Sequence, residues 1–158
     1  LIHGIYIGRS RELFQMSVGK SQKMNMTKLQ KPIKKAVVYL DPREFRSTWL
    51  GNKAVYRTRM AMAEGGELIV LAPNVKKFGE DEENDRLIRK YGYVGRKRVL
   101  ELVKTEEELK NNLSVAAHLI HGSSDGKFKV TYCTKHLSKE DIEGVGFEFI
   151  PYEEAVKK

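Results

Sequence analysis

Gly65-Gly66-Glu67-Leu68-Ile69-Val70-Leu71-Ala72-Pro73 (65–73) decides the architecture of this 158-residue chain. The apolar run after Glu67 is too short for a typical helix and has no polar break, so it reads as a strand buried on both faces. Pro73 stops it, because proline has no N–H for another ladder bond. The two glycines in front read as the end of a helix, since glycine accepts the left-handed conformation just past a last turn. A second run of the same kind, Ala36-Val37-Val38-Tyr39-Leu40, is closed by Asp41-Pro42. Between the two strands, after a loop through Trp49 and Gly51, Asn52 is placed to cap a helix reaching about Glu64.

Outward from this pair the chain keeps alternating. Asp81 to Lys90 has acidic residues at its start and basic ones at its end, as a helix dipole favours. Arg96 to Lys104 reads as a short helix. Thr105 with Glu108 forms a capping box opening a longer helix through Leu109, Leu113, Ala116, Ala117 and Ile120 to Gly122. Lys127 to Thr134 alternates as a strand with Phe128, Val130 and Tyr132 on one face. Ser138 and Asp141 cap another helix, Phe147 to Ile150 is a last strand, and a terminal helix starts at Tyr152. Towards the N-terminus, Ile5-Tyr6-Ile7 is a possible strand or packing segment and Ser10 caps a helix carrying Leu13, Phe14, Met16 and Val18. Gly19 to Pro32 reads as a polar connector. Strands alternating with helices predict an α/β fold, a three-layer sandwich around a mostly parallel sheet of about four to five strands. Ligands on such sheets bind beyond the carboxyl ends of the strands. Here those ends deliver residues 41–53, 73–81 and 134–138.

The composition bounds the partners. Charged residues make up 32% and apolar ones 41%, an ordinary globular balance, and the net charge is +8. That charge is uneven: residues 1–60 hold 13 Lys or Arg against Glu12, Asp41 and Glu44, while the remainder is slightly acidic. An anionic partner would meet the first third. Nucleic acid is the lesser candidate, because zinc-finger spacing, an RNP-like aromatic motif and a basic region leading into heptads are all missing. A small anion or the acidic face of another domain fits as well. The single cysteine, Cys133, excludes an internal disulfide and suits the cytoplasm. No apolar run reaches the ~18 residues of a membrane span, so no membrane partner is expected. The chain opens on Leu1 rather than Met, which reads as a piece of something longer.

The sharpest local feature is Ser47-Thr48-Trp49-Leu50-Gly51-Asn52-Lys53, followed by Tyr56, Arg57 and Arg59. Lys53 at a helix start, with Arg57 one turn on, would bind a carboxylate or phosphate; a capped helix with a solvated basic face is the plainer alternative. A phosphate-loop pattern is absent. His118 and His121 lie three apart on one helix, but no third ligand stands near at metal spacing, so structural roles are expected for both. His121 is expected at the amino-end edge of the sheet, away from the site. Cys133 reads as a small buried apolar residue, and His136 and the loop residues Asn74, Lys76 and Lys77 as surface groups.

The stretches Trp49–Ala61, Gly65–Pro73 and Ala116–Ser124, with the ending Ile142-Glu143-Gly144-Val145-Gly146-Phe147, resemble the C-terminal half of the nickel-dependent lactate racemase family, over about residues 35–157. The resemblance implies two domains: residues 1–34 would be a segment and connector from a preceding domain, and 35–158 a C-terminal α/β domain capping the substrate. It further implies an isomerase that takes a hydride from the α-carbon of a 2-hydroxy acid and returns it to the other face. The cofactor would be a nickel pincer nucleotide, held by the preceding half, with none expected on this chain. Catalytic residues would likewise belong to that missing half, and the domain carrying it would be a partner. The family's carboxylate-binding lysine falls on Lys53, with Trp49, Asn52, Arg57 and Asn112 as companion substrate-binding residues. Leu50 stands where lactate racemases carry a glutamine, and Asn112 near where they carry an aromatic. Both point away from lactate itself towards a larger or more polar acid, which Arg57 and Arg59 would suit. The competing reading is a non-catalytic α/β domain that binds an anionic ligand.

Overall fold

A computed structural model describes residues 1–157, which fall into two compact units, Leu1–Lys31 and the chain from Pro32 onward. The first unit holds one helix, α1 (Arg11–Asn25), capped by Ser10, whose hydroxyl accepts from the Leu13 N–H at 3.2 Å. The helix continues through Gly19, where a connector was expected, and buries none of its residues. Ile5-Tyr6-Ile7 forms no strand. A strand needs a neighbour for its N–H and C=O groups, and none pairs with it there.

The second unit runs β1 (Ile33–Tyr39), α2 (Thr48–Gly51), α3 (Lys53–Thr58), β2 (Met62–Leu71), α4 (Glu82–Tyr91), α5 (Arg96–Thr105), α6 (Glu107–Asn111), α7 (Leu113–His121), β3 (Lys129–Cys133), α8 (Lys139–Gly144), β4 (Glu148–Phe149) and α9 (Tyr152–Ala155). The strands form one parallel sheet in the order β1-β2-β3-β4, so every connection crosses over through helix. The class, the parallel sheet and the four strands agree with the sequence expectation of a three-layer α/β sandwich.

Register sorts the sheet into two faces. Ala36, Leu68 and Val130 stand in one row, and Val38, Val70, Tyr132 and Phe149 in the next, forming the floor of the core with the buried Leu87, Leu109, Leu119 and Ile142 of the helices. The opposite face carries a row of alternating charge across all four strands. Lys35 pairs with Glu67 at 3.2 Å, Glu67 with Lys129 at 3.1 Å, and Lys129 with Glu148 at 3.1 Å. Burial raises the Glu67 carboxyl, but hydrogen bonds from Lys129, Thr131 and Lys35 outweigh it and hold it below its usual range. Beyond this row Val37 and Tyr39 remain more than half exposed.

Two expected elements differ. The helix predicted from Asn52 to Glu64 ends at Thr58, and Met62, fully buried, already pairs with Ile33. Gly65-Gly66 therefore does not end a helix. It forms a bulge in β2: Gly65 takes φ 68°, its N–H donates to Lys127 O at 2.8 Å, and the register jumps between Ile33 and Lys35. A Cβ on Gly66 would stand 2.9 Å from Lys34 O. Burial of Met62 and ladder bonding outcompeted local helix propensity. The long helix predicted from Thr105 is likewise split. Thr105 closes α5, and Asn112 interrupts the helical path and caps α7, its side chain accepting from Val115 N at 3.2 Å. The capping box at Ser138 and Asp141 is formed as predicted.

Candidate functional site

The loops leaving β1 and β2 are joined before any helix begins. Ser47 bridges to Lys77, Thr48 N donates to Lys77 O at 3.1 Å, and Trp49 N to Phe78 O at 2.8 Å. Ser47 caps α2 and donates to Glu80 of the neighbouring loop, while Asn74 Nδ2 donates to Pro42 O at 2.6 Å. Asp85 of α4 accepts from Phe78 N at 2.6 Å and Gly79 N at 3.0 Å. These bonds satisfy the loop backbone with protein partners and give Trp49 a fixed base.

From that base α2 and α3 run along α7. Trp49 stacks on His118, with ring centroids 4.4 Å apart and planes 25° apart. One turn on, Asn52 is 2% exposed, and a Cβ on Gly122 would come within 2.7 Å of its Nδ2 and 2.6 Å of Tyr93 Cε1. Farther along, Tyr56 meets His121 edge-on at 6.1 Å. Arg59 ends the contact by donating to Ile120 O at 3.1 Å, His121 O at 2.9 Å and Ser123 O, closing the last turn of α7. Arg59 is thus a structural cap and is not available as the extra anion-binding cation expected of it.

Lys53 opens α3 and is half-buried, with no hydrogen bond or ion pair among the described residues. Asn52 does not cap α3 with its side chain; its Oδ1 and Nδ2 are buried and unpartnered. Leaving such a group unpaired costs on the order of 1–3 kcal/mol, which marks the position as unusual. Arg57 is exposed and also unpaired among the described residues. Since α3 has six residues, its dipole is small, and the positive character belongs to the Lys53 ammonium itself.

The structure does not bring Asn112 into these contacts. Its amide donates to Asn84 Oδ1 of α4 at 3.1 Å and its carbonyl is occupied by the α7 cap and Ser114. Conversely, His118, for which only a structural role was expected, is the residue Trp49 covers. Burial, and secondarily the nearby His121, pushes its imidazole down to about 4, so it is neutral at pH 7. Its Nε2 lies 2.8 Å from Tyr93 OH, which lies 2.8 Å from Thr48 Oγ1. Tyr93 carried no sequence signal, and Thr48 was noted only as part of the 47–53 stretch, because their relation to His118 exists only across three elements.

A groove of about 510 Å³ lined by Lys77, Glu80, Asp81, Asp85, Arg86 and Arg89 lies on the same binding side. Its cations are already paired, Lys77 with Glu80 at 3.8 Å, Arg86 with Glu83 at 2.8 Å and Arg89 with Asp85 at 2.7 Å. Cys133 is buried and its thiol is pushed up to about 11, so it is no thiolate nucleophile. Among the described residues no three of His, Cys, Asp or Glu gather to hold a metal, and no helix is long and apolar enough to cross a membrane.

No protein-family model matches the sequence, and no curated protein matches it. Solved structures similar in fold include the following two. A protein from Thermotoga maritima matches with a TM-score of 0.71 and 22% identity, over 90% of this chain and 36% of its own. The lactate racemase apoprotein from Thermoanaerobacterium thermosaccharolyticum matches with a TM-score of 0.57 and 16% identity, over 80% of this chain and 30% of its own. The chain spans about a third of the length of each of these proteins. What it shares with them is an α/β fold that a lactate racemase also contains.

Proposed function

We propose that this chain is the C-terminal, substrate-capping α/β domain of a cytoplasmic, lactate racemase-like isomerase of 2-hydroxy acids. The observation that carries the proposal is Lys53, a half-buried lysine whose ammonium has no partner among the described residues, next in sequence to the buried, unpartnered amide of Asn52 and four residues after Trp49, which stacks on His118. The distant likeness in fold to a lactate racemase supports the same reading. In it, Lys53 holds the ligand's carboxylate by a charge-assisted hydrogen bond. Trp49 supplies an apolar wall that excludes water from one side, and Arg57 adds long-range attraction for an anion.

A nickel pincer nucleotide supplies hydride chemistry where it is bound, but the residues of this chain do not fit it. No metal-holding cluster forms among the described residues, and His118 Nε2 is engaged by Tyr93. In this reading the cofactor and the acid and base groups belong to the preceding domain, and the present chain binds and orients. Calorimetric titration of the chain with L-lactate, D-lactate and the larger 2-hydroxy acid malate tests the proposal. Saturable binding is expected, weakened on the order of 10-fold or more in Lys53→Ala, which removes a contact worth ~1.5–3 kcal/mol. Equal binding by the variant would remove Lys53 from the site. Binding of phosphate and sulfate as tightly as of the hydroxy acids would favour a general anion-binding domain instead.

A further inference from the structure

A line of hydrogen bonds runs from the loop after β2 to α7. Thr48 Oγ1 is 3.0 Å from Phe78 O and 2.8 Å from Tyr93 OH, and Tyr93 OH is 2.8 Å from His118 Nε2. Thr48 is fully buried and Tyr93 is 6% exposed, so solvent supplies none of the protons in this line. Their positions follow from the chemistry of each group. A carbonyl only accepts, so the proton between Phe78 and Thr48 is Thr48's. Thr48 has then spent its single hydroxyl proton, and the next one comes from Tyr93. Tyr93 in turn has none left for His118, and the proton in the last bond sits on Nε2. The line fixes the Nε2–H tautomer and leaves an unshared electron pair on Nδ1.

Nδ1 has no hydrogen-bond partner among the described residues, and it is not among the buried unpartnered atoms. It therefore reaches the surface. Trp49 stacked on one face and Tyr93 edge-on at 5.5 Å hold the ring in place. Trp49 of α2 and Lys53 of α3 are joined through Asn52, whose N–H donates to Thr48 O at 2.8 Å and whose carbonyl accepts from Tyr56 N at 3.2 Å. Lys53 therefore begins the helix that directly follows the one carrying Trp49.

We propose that His118 is a recognition residue whose Nδ1 accepts a hydrogen bond from a ligand hydroxyl next to the carboxylate held by Lys53. Tyr93 and Thr48 are positioning residues that hold the single proton of the neutral ring on Nε2 and so leave Nδ1 as the acceptor. The inference rests on the reading of Lys53 given above and adds to it the source of selectivity for hydroxylated acids. An acid without the hydroxyl leaves the acceptor unmatched.

Two measurements on the chain test it. Long-range ¹H–¹⁵N spectra of the imidazole are expected to show protonated Nε2 and bare Nδ1; an Nδ1–H tautomer overturns the inference whether or not any acid binds. Titrations with L-lactate, D-lactate and propionate isolate the hydroxyl. At least one lactate enantiomer is expected to bind about fivefold tighter than propionate, the usual effect of one neutral hydrogen bond. His118→Phe, which keeps a ring against Trp49, and His118→Gln, which keeps a donor for Tyr93, should both bring the lactate-to-propionate binding ratio down to about one. A purely structural His118 would weaken all three acids alike and leave the ratio unchanged. Equal binding of lactate and propionate by the unmodified chain, or a preference that survives both variants, overturns the inference and leaves Lys53 standing. Failure of all three acids to bind overturns the Lys53 reading and this inference with it.

Discussion

Lowering the pH from about 7 to about 5 should loosen the packing of α7 on α2 and α3 through a single imidazole. His118 titrates near 4 in the folded chain, because burial disfavours its charged form, against 6.5 for the free side chain. Above pH 6.5 both states are neutral there and His118 contributes no pH dependence. As the pH falls from 6.5 towards 4, the unfolded chain takes up a proton that the folded chain does not, so stability declines. The loss reaches about 2 kcal/mol at pH 5 and levels off near 3 kcal/mol below pH 4, where both states are protonated. Carboxylates such as Asp85 have lowered pKa values, burial of Asp85 being outweighed by Arg89 and the loop N–H groups, and their contribution is lost only at lower pH. Urea unfolding of the chain and of His118→Gln at the two pH values isolates the effect. The variant should lose about 2 kcal/mol less than the unmodified chain between them. Equal losses would refute the assignment of a buried, neutral imidazole.

Two further substitutions probe the same interface. Gly122→Ala places a methyl group 2.6 Å from Tyr93 Cε1 and 2.7 Å from Asn52 Nδ2, and should cost about 1–3 kcal/mol by denaturant midpoint. An unchanged midpoint would mean that α3 and α7 are not in close contact. Tyr132→Phe removes a buried hydroxyl that has no hydrogen-bond partner, so stability should hold or rise by up to about 1 kcal/mol. A clear loss would show that the hydroxyl is bonded.

The strands were legible because their chemistry is local. Ala36–Leu40 and Leu68–Ala72 are apolar runs with proline stops, and the alternation of Phe128, Val130 and Tyr132 maps onto one buried face. The parallel order followed from the helical connections. Helix ends were less legible where tertiary pairing overrode local signals: Met62 joins the sheet four residues after α3 ends, and the glycines that imitate a helix stop form a bulge instead. At the candidate site, Lys53 and Trp49 were readable because they follow a buried strand within one short stretch. His118 was set aside since its partners Trp49, Tyr93 and, through Tyr93, Thr48 are 69, 25 and 70 residues away in sequence. Arg59, which looked like a free cation, is committed to three carbonyl oxygens that only the folded chain brings together.

Backbone and indole amide spectra of the chain titrated with L-lactate and then D-lactate test the central claim most directly. Lys53 as the carboxylate site predicts that the largest shifts fall on the Lys53 amide, the Trp49 indole N–H and the Asn52 side-chain amide, and that Lys53→Ala abolishes them. Shifts centred instead on the paired charges of the Lys77–Arg89 groove, or on Asn84 and Asn112, would contradict it.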